Sequence, residues 1–183
     1  MWAAAPAGTE IVAIAGTGSV VASRRGGRYL VTGGAGVPGG DPGSAVRLGR
    51  VALARTAGAD ALRPALAAYG SGAGDGVAGL DNAVEQAAHA PVLTEAAERC
   101  EAWACTALRA ELAPLAADVC RHAARLGGRR RGARPRVALA GGVFASPAAV
   151  AALEGALGPA FDVVALGAEP VFGAVRIARR LAA

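Results

Sequence analysis

Two short apolar segments that each end on glycines constrain the fold of this chain more than any other feature. The first runs from Glu10 to Ala15 and is followed by Gly16-Thr17-Gly18, and the second runs from Val137 to Ala140 and ends on Gly141-Gly142. Apolar segments that stop at glycine are typical of strands that enter tight turns. Glycine at the carboxyl end of a strand lets a ligand lie against the backbone. The two turns therefore predict one ligand site to which both strands contribute.

The segment after the first turn predicts further strands. Val20 to Ser23 and Tyr29 to Thr32 are separated by Arg25-Gly26-Gly27, a sequence that is typical of a hairpin. Together with the first segment they predict three antiparallel strands. The glycine-rich stretch from Gly33 to Gly43 is too permissive for regular structure, and we expect it to lie close to a ligand.

The rest of the chain predicts helices that alternate with two more strands. Ser44 is a candidate N-cap for a helix through about Thr56. Val92 to about Leu126 favours helix, and Pro114 in its middle predicts a kink or a division into two helices. The other predicted elements are a helical insertion from Asp60 to His89, a strand from Val137 to Ala140, a helix from Pro147 to Leu157, a strand from Phe161 to Leu166 and a closing helix from Val171 to Leu181. This order predicts an α/β fold with a mixed sheet covered by helices.

Length and composition favour one domain inside the cell. The chain has 183 residues, which suits a single domain, and its apolar stretches are far shorter than a membrane span of about 20 residues. The first residues do not resemble a signal peptide, so we expect a cytoplasmic protein with no membrane partner. Cys100, Cys105 and Cys120 have no CxxC spacing, and neither a disulfide nor a metal site is predicted.

The basic run from Arg129 to Arg136 is the densest positive charge in the sequence. Clustered arginine binds nucleic acid in many proteins, but no aromatic residue lies within this run to stack on bases. Its glycines and Pro135 are typical of a solvated connection between a helix and a strand, so we expect no nucleic-acid partner. The chain contains no lysine, which excludes a phosphate loop of the GxxxxGK[ST] type.

Three segments together resemble the BadF/BadG/BcrA/BcrD ATPase and N-acetylglucosamine kinase family of the actin, sugar kinase and Hsp70 superfamily. They are Ala15 to Ser19, Gly33 to Ala45, and Ala140 to Phe144. The resemblance implies a ribonuclease-H-like domain that binds ATP with Mg²⁺ and belongs to an ATP-dependent kinase of an amino sugar. It implies that residues 1–183 form a single C-terminal nucleotide-binding domain, with a helical insertion over about residues 60–126.

The resemblance also implies two sets of binding residues. The set expected to bind ATP is Gly16, Thr17, Gly18, Ala97, Gly141 and Gly142. The set expected to bind the sugar is Ser19, Val20, Gly34, Ala35, Gly36 and Asp41. A carboxylate such as that of Asp41 can accept hydrogen bonds from sugar hydroxyls.

The sequence departs from the family at several positions. The family usually has Trp at Ala35, Glu at Pro42, and Gly-Asp at Cys100-Glu101. Its first phosphate loop and its general-base aspartate precede the strand before the first glycine turn, whereas Met1 to Thr9 contain no carboxylate. We therefore expect no catalytic residue and no N-terminal domain in this chain, and poor phosphate transfer by the chain alone.

Other interpretations differ in function class. One is a non-catalytic nucleotide-binding or regulatory module. Another is one half of a split kinase, whose partner is a separate chain that supplies the N-terminal half; a homodimer is a further possibility. A third is the iron–sulfur-linked activator branch of the same family. The cluster cysteines of that branch are not matched here, because Cys100 and Cys105 lie on a predicted helix away from the glycine turns.

Overall fold

The residues that the structure describes form one five-stranded mixed sheet. The computed structural model describes residues 5–25, 28–34, 36, 41–57, 83–127 and 134–166. The sheet has the order β3-β2-β1-β4-β5, in which β1 to β3 are antiparallel and β1, β4 and β5 are parallel. The strands are β1 (Thr9–Ala15), β2 (Ser19–Arg25), β3 (Arg28–Gly33), β4 (Arg136–Ala140) and β5 (Asp162–Ala165). The predicted α/β class and the antiparallel start of the sheet are confirmed.

Four helices are labelled within the described residues, and residues 83–88 are also helical. They are α1 (Ala45–Ala57), α2 (Ala90–Glu98), α3 (Ala102–Leu126) and α4 (Pro147–Leu157), and a 3₁₀ turn covers Gly142–Ala145. Ser44 lies just before α1 and its Oγ accepts the amide of Arg47 at 3.4 Å. The Oγ of Ser146 accepts the amide of Ala149 at 3.4 Å at the start of α4. Both residues satisfy amides that the first helical turn leaves unpaired.

The core lies between one face of the sheet and the helices. Ile11, Ala13 and Ala15 alternate along β1 and are fully buried, and they share a core cluster with leucines of α3 and α4. This alternation follows from the strand period of two, because every second side chain points to the same face. Each buried leucine contributes about 1.5–3 kcal/mol relative to an exposed one. The packing fixes the strands whose carboxyl ends carry the glycine turns.

The long helical region divides at a different place from the one predicted. The break between α2 and α3 lies at Arg99–Glu101, and α3 continues through Pro114. Pro114 is exposed, so the carbonyl group that lacks an amide partner one turn earlier can bond to water instead. The prediction that Pro114 divides the helix is therefore wrong.

Some predicted segments lie outside the described residues. These are the closing helix from Val171 to Leu181, most of the insertion from Asp60 to His89, and the first part of the basic run from Arg129 to Arg136. In the part of the chain that the structure describes, no helix is both long enough and apolar enough to cross a membrane.

Candidate functional site

The two glycine turns lie side by side at one edge of the sheet. β1 and β4 are parallel neighbours in register at Ile14 and Ala140, so their carboxyl ends meet. From Gly16 the chain turns to β2 on one side, and from Gly141 it proceeds towards β5 on the other. A crevice forms where strand order reverses in this way, and such crevices are where open α/β sheets bind ligands.

The first turn is fixed by the start of α1. The amide of Gly16 donates to the carbonyl of Gly18 at 2.8 Å. The amides of Ala45 and Val46 donate to the carbonyls of Gly16 and Thr17 at 2.7 and 3.5 Å. The amides of Thr17 and Gly18 have no acceptor among the residues that the structure describes. Successive free amides in a turn can bind an anion such as a phosphate oxygen.

Asp41 lies directly against this turn. It is 4% exposed, and its Oδ2 accepts the amide of Ser19 at 3.3 Å. The hydroxyl of Ser19 donates to the carbonyl of Pro42 at 2.5 Å. A Cβ atom on Gly18 would lie 3.0 Å from Asp41 Oδ2, so a side chain there would require the carboxylate to move by a few tenths of an ångström. The structure thus brings Asp41 and Ser19 together beside Gly18.

The other residues expected to bind a sugar are distributed around this cluster. Gly34 donates its amide to the carbonyl of Ser19 at 2.9 Å, and a Cβ atom on Gly34 would lie 3.4 Å from Val20. Gly36 is exposed, and Ala35 lies outside the described residues. The ends of β3 and the start of β2 therefore place Ser19, Val20 and Gly34 at one side of the crevice.

Two different constraints act on the glycines of the crevice. At Gly141, φ is 100° and a Cβ atom would lie 2.2 Å from the carbonyl oxygen of Ala15, so the fold itself requires glycine. Gly16 and Gly142 have no atom within 4 Å of the position where a Cβ would lie. Packing within the described residues therefore does not explain why these two are glycine. Both leave open space next to the backbone, which suits the close approach of a ligand.

Ala97 lies in a groove between α2, α3 and α4 and not in either turn. It is 6% exposed, and its carbonyl accepts a weak bond from the thiol of Cys105 at 3.6 Å. The groove has a volume of about 190 Å³. It is lined by Ala97, Cys105, Leu108, Arg109, Ala148, Ala151 and Ala152.

Glu98, next to Ala97, contacts the segment after the second turn. Its Oε1 accepts the hydroxyl of Ser146 at 2.6 Å. The sequence indicates an ordinary solvated charge for Glu98, and no local signal reveals the contact because the two residues are 48 positions apart. From the sequence, Ser146 can be recognised only as the N-cap of a helix.

Glu101 begins the next helix and is also held by its neighbours. The indole N–H of Trp103 donates to its carboxylate at 2.8 Å, and Arg99 forms an ion pair with it at 2.9 Å. The hydrogen bond from Trp103 and then the contact with Arg99 lower the pKa of Glu101 below its usual value. The carboxylate of Glu101 is therefore ionised and already bonded to Trp103 and Arg99, so it is not available as a general base.

Comparison with solved structures supports this fold. The chain is similar to a candidate N-acetylglucosamine kinase from Chromobacterium violaceum, with a TM-score of 0.55 and 26% identity over 92% of this chain and 59% of the kinase. It is also similar to the activator of 2-hydroxyisocaproyl-CoA dehydratase from Clostridium difficile with bound ADPNP, with a TM-score of 0.44 and 12% identity over 93% of this chain and 59% of the activator. No family model and no curated protein matches the sequence. The chain thus has the mixed α/β fold of actin-like ATPases and spans 59% of the length of the kinase.

Proposed function

We propose that this chain is the nucleotide-binding domain of a sugar kinase and binds Mg-ATP in the crevice between its two glycine turns. The observation that carries the proposal is the pair of turns at adjacent ends of β1 and β4, where Gly16 and Gly142 leave space that the described residues do not fill. The shared fold with a candidate N-acetylglucosamine kinase supports it.

The proposed nucleotide lies across both turns. The amides of Thr17 and Gly18 face its phosphates, because free amides of a turn bind phosphate oxygens. Gly141 and Gly142 form the wall against which the adenosine lies, and Ala97 belongs to the helical layer behind it. Mg²⁺ accompanies the phosphates, which supply oxygen ligands of the kind it prefers.

The proposed second substrate is an amino sugar next to Asp41. The carboxylate of Asp41 has acceptor capacity beyond its single bond to the amide of Ser19. Ser19, Val20, Gly34, Ala35 and Gly36 complete this side of the proposed site. A sugar here would lie beside the first turn, and therefore close to the phosphates of a nucleotide bound there.

We propose further that residues 1–183 act as a C-terminal domain and transfer phosphate poorly or not at all by themselves. The resemblance places the general base on a segment that precedes the first strand, and the chain spans 59% of the kinase that shares its fold. Phosphate transfer needs a base and bound magnesium in addition to a nucleotide site. Release of ADP by the purified 183-residue chain that depends on N-acetylglucosamine would contradict this part of the proposal.

Calorimetric titration with Mg-ATP tests the nucleotide site. We expect saturable binding, and at least about a tenfold loss of affinity in Gly142→Val, because the new side chain occupies the open space. Gly155→Val is the matched control, since Gly155 lies on α4 with no atom within 4 Å of its Cβ position. Absence of binding to the wild-type chain, or equal losses in the two variants, would refute the proposed site. Binding of ATP that N-acetylglucosamine does not change would favour a non-catalytic module.

A further inference from the structure

Glu98 is an acidic residue at the wrong end of its own helix. It is the last residue of α2, where the helix dipole disfavours a negative charge. The stability of α2 therefore does not explain its presence. Its carboxylate contacts Ser146, the N-cap of α4, and a negative charge is favourable at that end of a helix. The negative charge of Glu98 is therefore unfavourable for its own helix, α2, but favourable for the neighbouring helix, α4.

The hydroxyl of Ser146 has two hydrogen-bond partners. It donates its one proton to Glu98 Oε1 at 2.6 Å and accepts the amide of Ala149 at 3.4 Å. The first is a charge-assisted bond, which is shorter and stronger than a neutral one. Ser146 also donates its backbone amide to the carbonyl of Val143 at 3.2 Å. Ser146 is therefore bonded both to the 3₁₀ turn that follows Gly141 and to α2.

Backbone hydrogen bonds fix the residue at which α2 ends, and they therefore fix the backbone position of Glu98. The amide of Cys100 donates to the carbonyl of Ala97 at 2.9 Å, and the amide of Glu101 donates to that of Ala96 at 3.0 Å. This pair of bonds forms a Schellman motif, which ends the helix at a defined residue. The backbone of Glu98, from which its carboxylate reaches Ser146, is thereby held at a fixed place relative to the core.

We infer that Glu98 is a positioning residue that holds the second glycine turn in its binding geometry through Ser146. The inference rests on the proposed function in so far as it concerns nucleotide affinity. In the wild-type chain, α2, Ser146 and the segment Gly142–Ala145 behave as one unit. Loss of the carboxylate frees the hydroxyl of Ser146 and lets the turn sample other positions.

Nucleotide titration of three variants gives the first test. We expect Glu98→Ala to raise the Kd for Mg-ATP about threefold to tenfold, which corresponds to the loss of one charge-assisted hydrogen bond. Glu98→Gln keeps an acceptor oxygen and should stay within about twofold of wild type. Glu95 is exposed, as Glu98 is, so Glu95→Ala removes the same charge from a similar position one turn earlier on α2, and we expect it to leave the Kd unchanged. Equal effects of Glu95→Ala and Glu98→Ala would overturn the inference.

Hydrogen exchange without nucleotide separates this inference from the proposed function. The amides of Phe144 and Ser146 donate to the carbonyls of Gly141 and Val143 and are therefore protected in the wild-type chain. We expect these two amides to exchange faster in Glu98→Ala than in wild type, while the amides of β1 and the thermal midpoint stay the same. This outcome supports the positioning role even if the wild-type chain fails to bind ATP, which would refute the proposed function alone. Unchanged exchange at Phe144 and Ser146, or faster exchange throughout the chain with a lower midpoint, would overturn the inference.

Discussion

The two glycine turns lie side by side but are held in different ways. The first turn is anchored mainly by backbone, since amides of α1 donate to the carbonyls of Gly16 and Thr17. The second turn depends on side chains and on one tight packing contact. Gly141 lies against the backbone of Ala15, and Ser146 is bonded to Glu98. A substitution removes a side chain and leaves the backbone amide, so the second turn should be the more sensitive to mutation.

The largest expected effect lies at the packing contact of the second turn. Gly141→Ala introduces a Cβ atom 2.2 Å from the oxygen of Ala15, at a φ of 100° that alanine rarely adopts. We expect a loss of about 3 kcal/mol in the free energy of unfolding, from overpacking and backbone strain together. Urea denaturation measures it.

The neighbouring glycine is the control for this change. Gly142→Ala places its Cβ atom in open space, and we expect the free energy of unfolding to change by no more than about 0.5 kcal/mol. If both variants were equally stable, the close contact between Gly141 and Ala15 would not constrain the fold. There would then be less reason to expect the second turn to be more sensitive to mutation than the first.

A smaller effect is expected at the one carboxylate beside the first turn. Asp41→Ala leaves the buried amide of Ser19 without its acceptor, and we expect a loss of about 2 kcal/mol in the free energy of unfolding. Asp41→Asn retains an acceptor oxygen and should lose less. Thermal denaturation of both variants measures the difference. If Asp41→Ala were as stable as wild type, the first turn would be held by backbone alone, which would sharpen the contrast.

The sequence predicts the turns well because their signals are local. An apolar segment followed by glycine defines the ends of β1 and β4, and Ser44 and Ser146 define the starts of two helices. The relation between the two turns is also predictable, since parallel strands bring their carboxyl ends together. The sequence alone does not reveal which of these glycines the fold requires. That depends on Ala15, which lies far from Gly141 in the chain and next to it in the sheet.

The helical layer was harder to predict for two physical reasons. Pro114 is a helix breaker by local rules, but its exposure on α3 lets water replace the missing bond. His122 has no visible partner in the sequence, and the structure places it between the hydroxyls of Ser23 and Thr32, each at 2.9 Å. These contacts join residues 99 and 90 positions apart, which no local pattern reports.

His122 allows the crevice to be compared with the antiparallel side of the sheet, where it contacts β2 and β3. Burial lowers the pKa of His122 below its usual value, the charge of Asp118 opposes this, and Arg125 and Arg121 add to it. The folded state therefore prefers neutral His122, while the unfolded chain takes up a proton at about pH 6.5. We expect full stability above about pH 6.5 and a progressive loss as the pH falls from there through the lowered pKa of the folded state.

Urea denaturation at several pH values measures this effect. His122→Gln retains hydrogen-bonding groups but does not titrate, so its stability should depend less on pH over the same range. We expect the amides of Gly16 to Gly18 to exchange at the same rate across this range, because His122 contacts β2 and β3 and not the turns. An equal pH dependence of stability in wild type and His122→Gln would show that His122 is not the group responsible for it.

The smallest expected effect has the opposite sign and concerns the support of the second turn. Cys100 occupies the left-handed position of the Schellman motif that ends α2, with φ of 60°, where glycine is preferred. We expect Cys100→Gly to raise the free energy of unfolding by about 0.5–1 kcal/mol, because the strain relieved exceeds the extra freedom of the unfolded chain. Cys120→Gly is an informative contrast, since Cys120 lies inside α3 and the same change there should destabilise by about 1 kcal/mol. A loss of stability in Cys100→Gly would mean that the thiol of Cys100 stabilises the fold by more than the backbone strain destabilises it. The end of α2, which carries Glu98, would then be held by a side chain as well as by backbone hydrogen bonds.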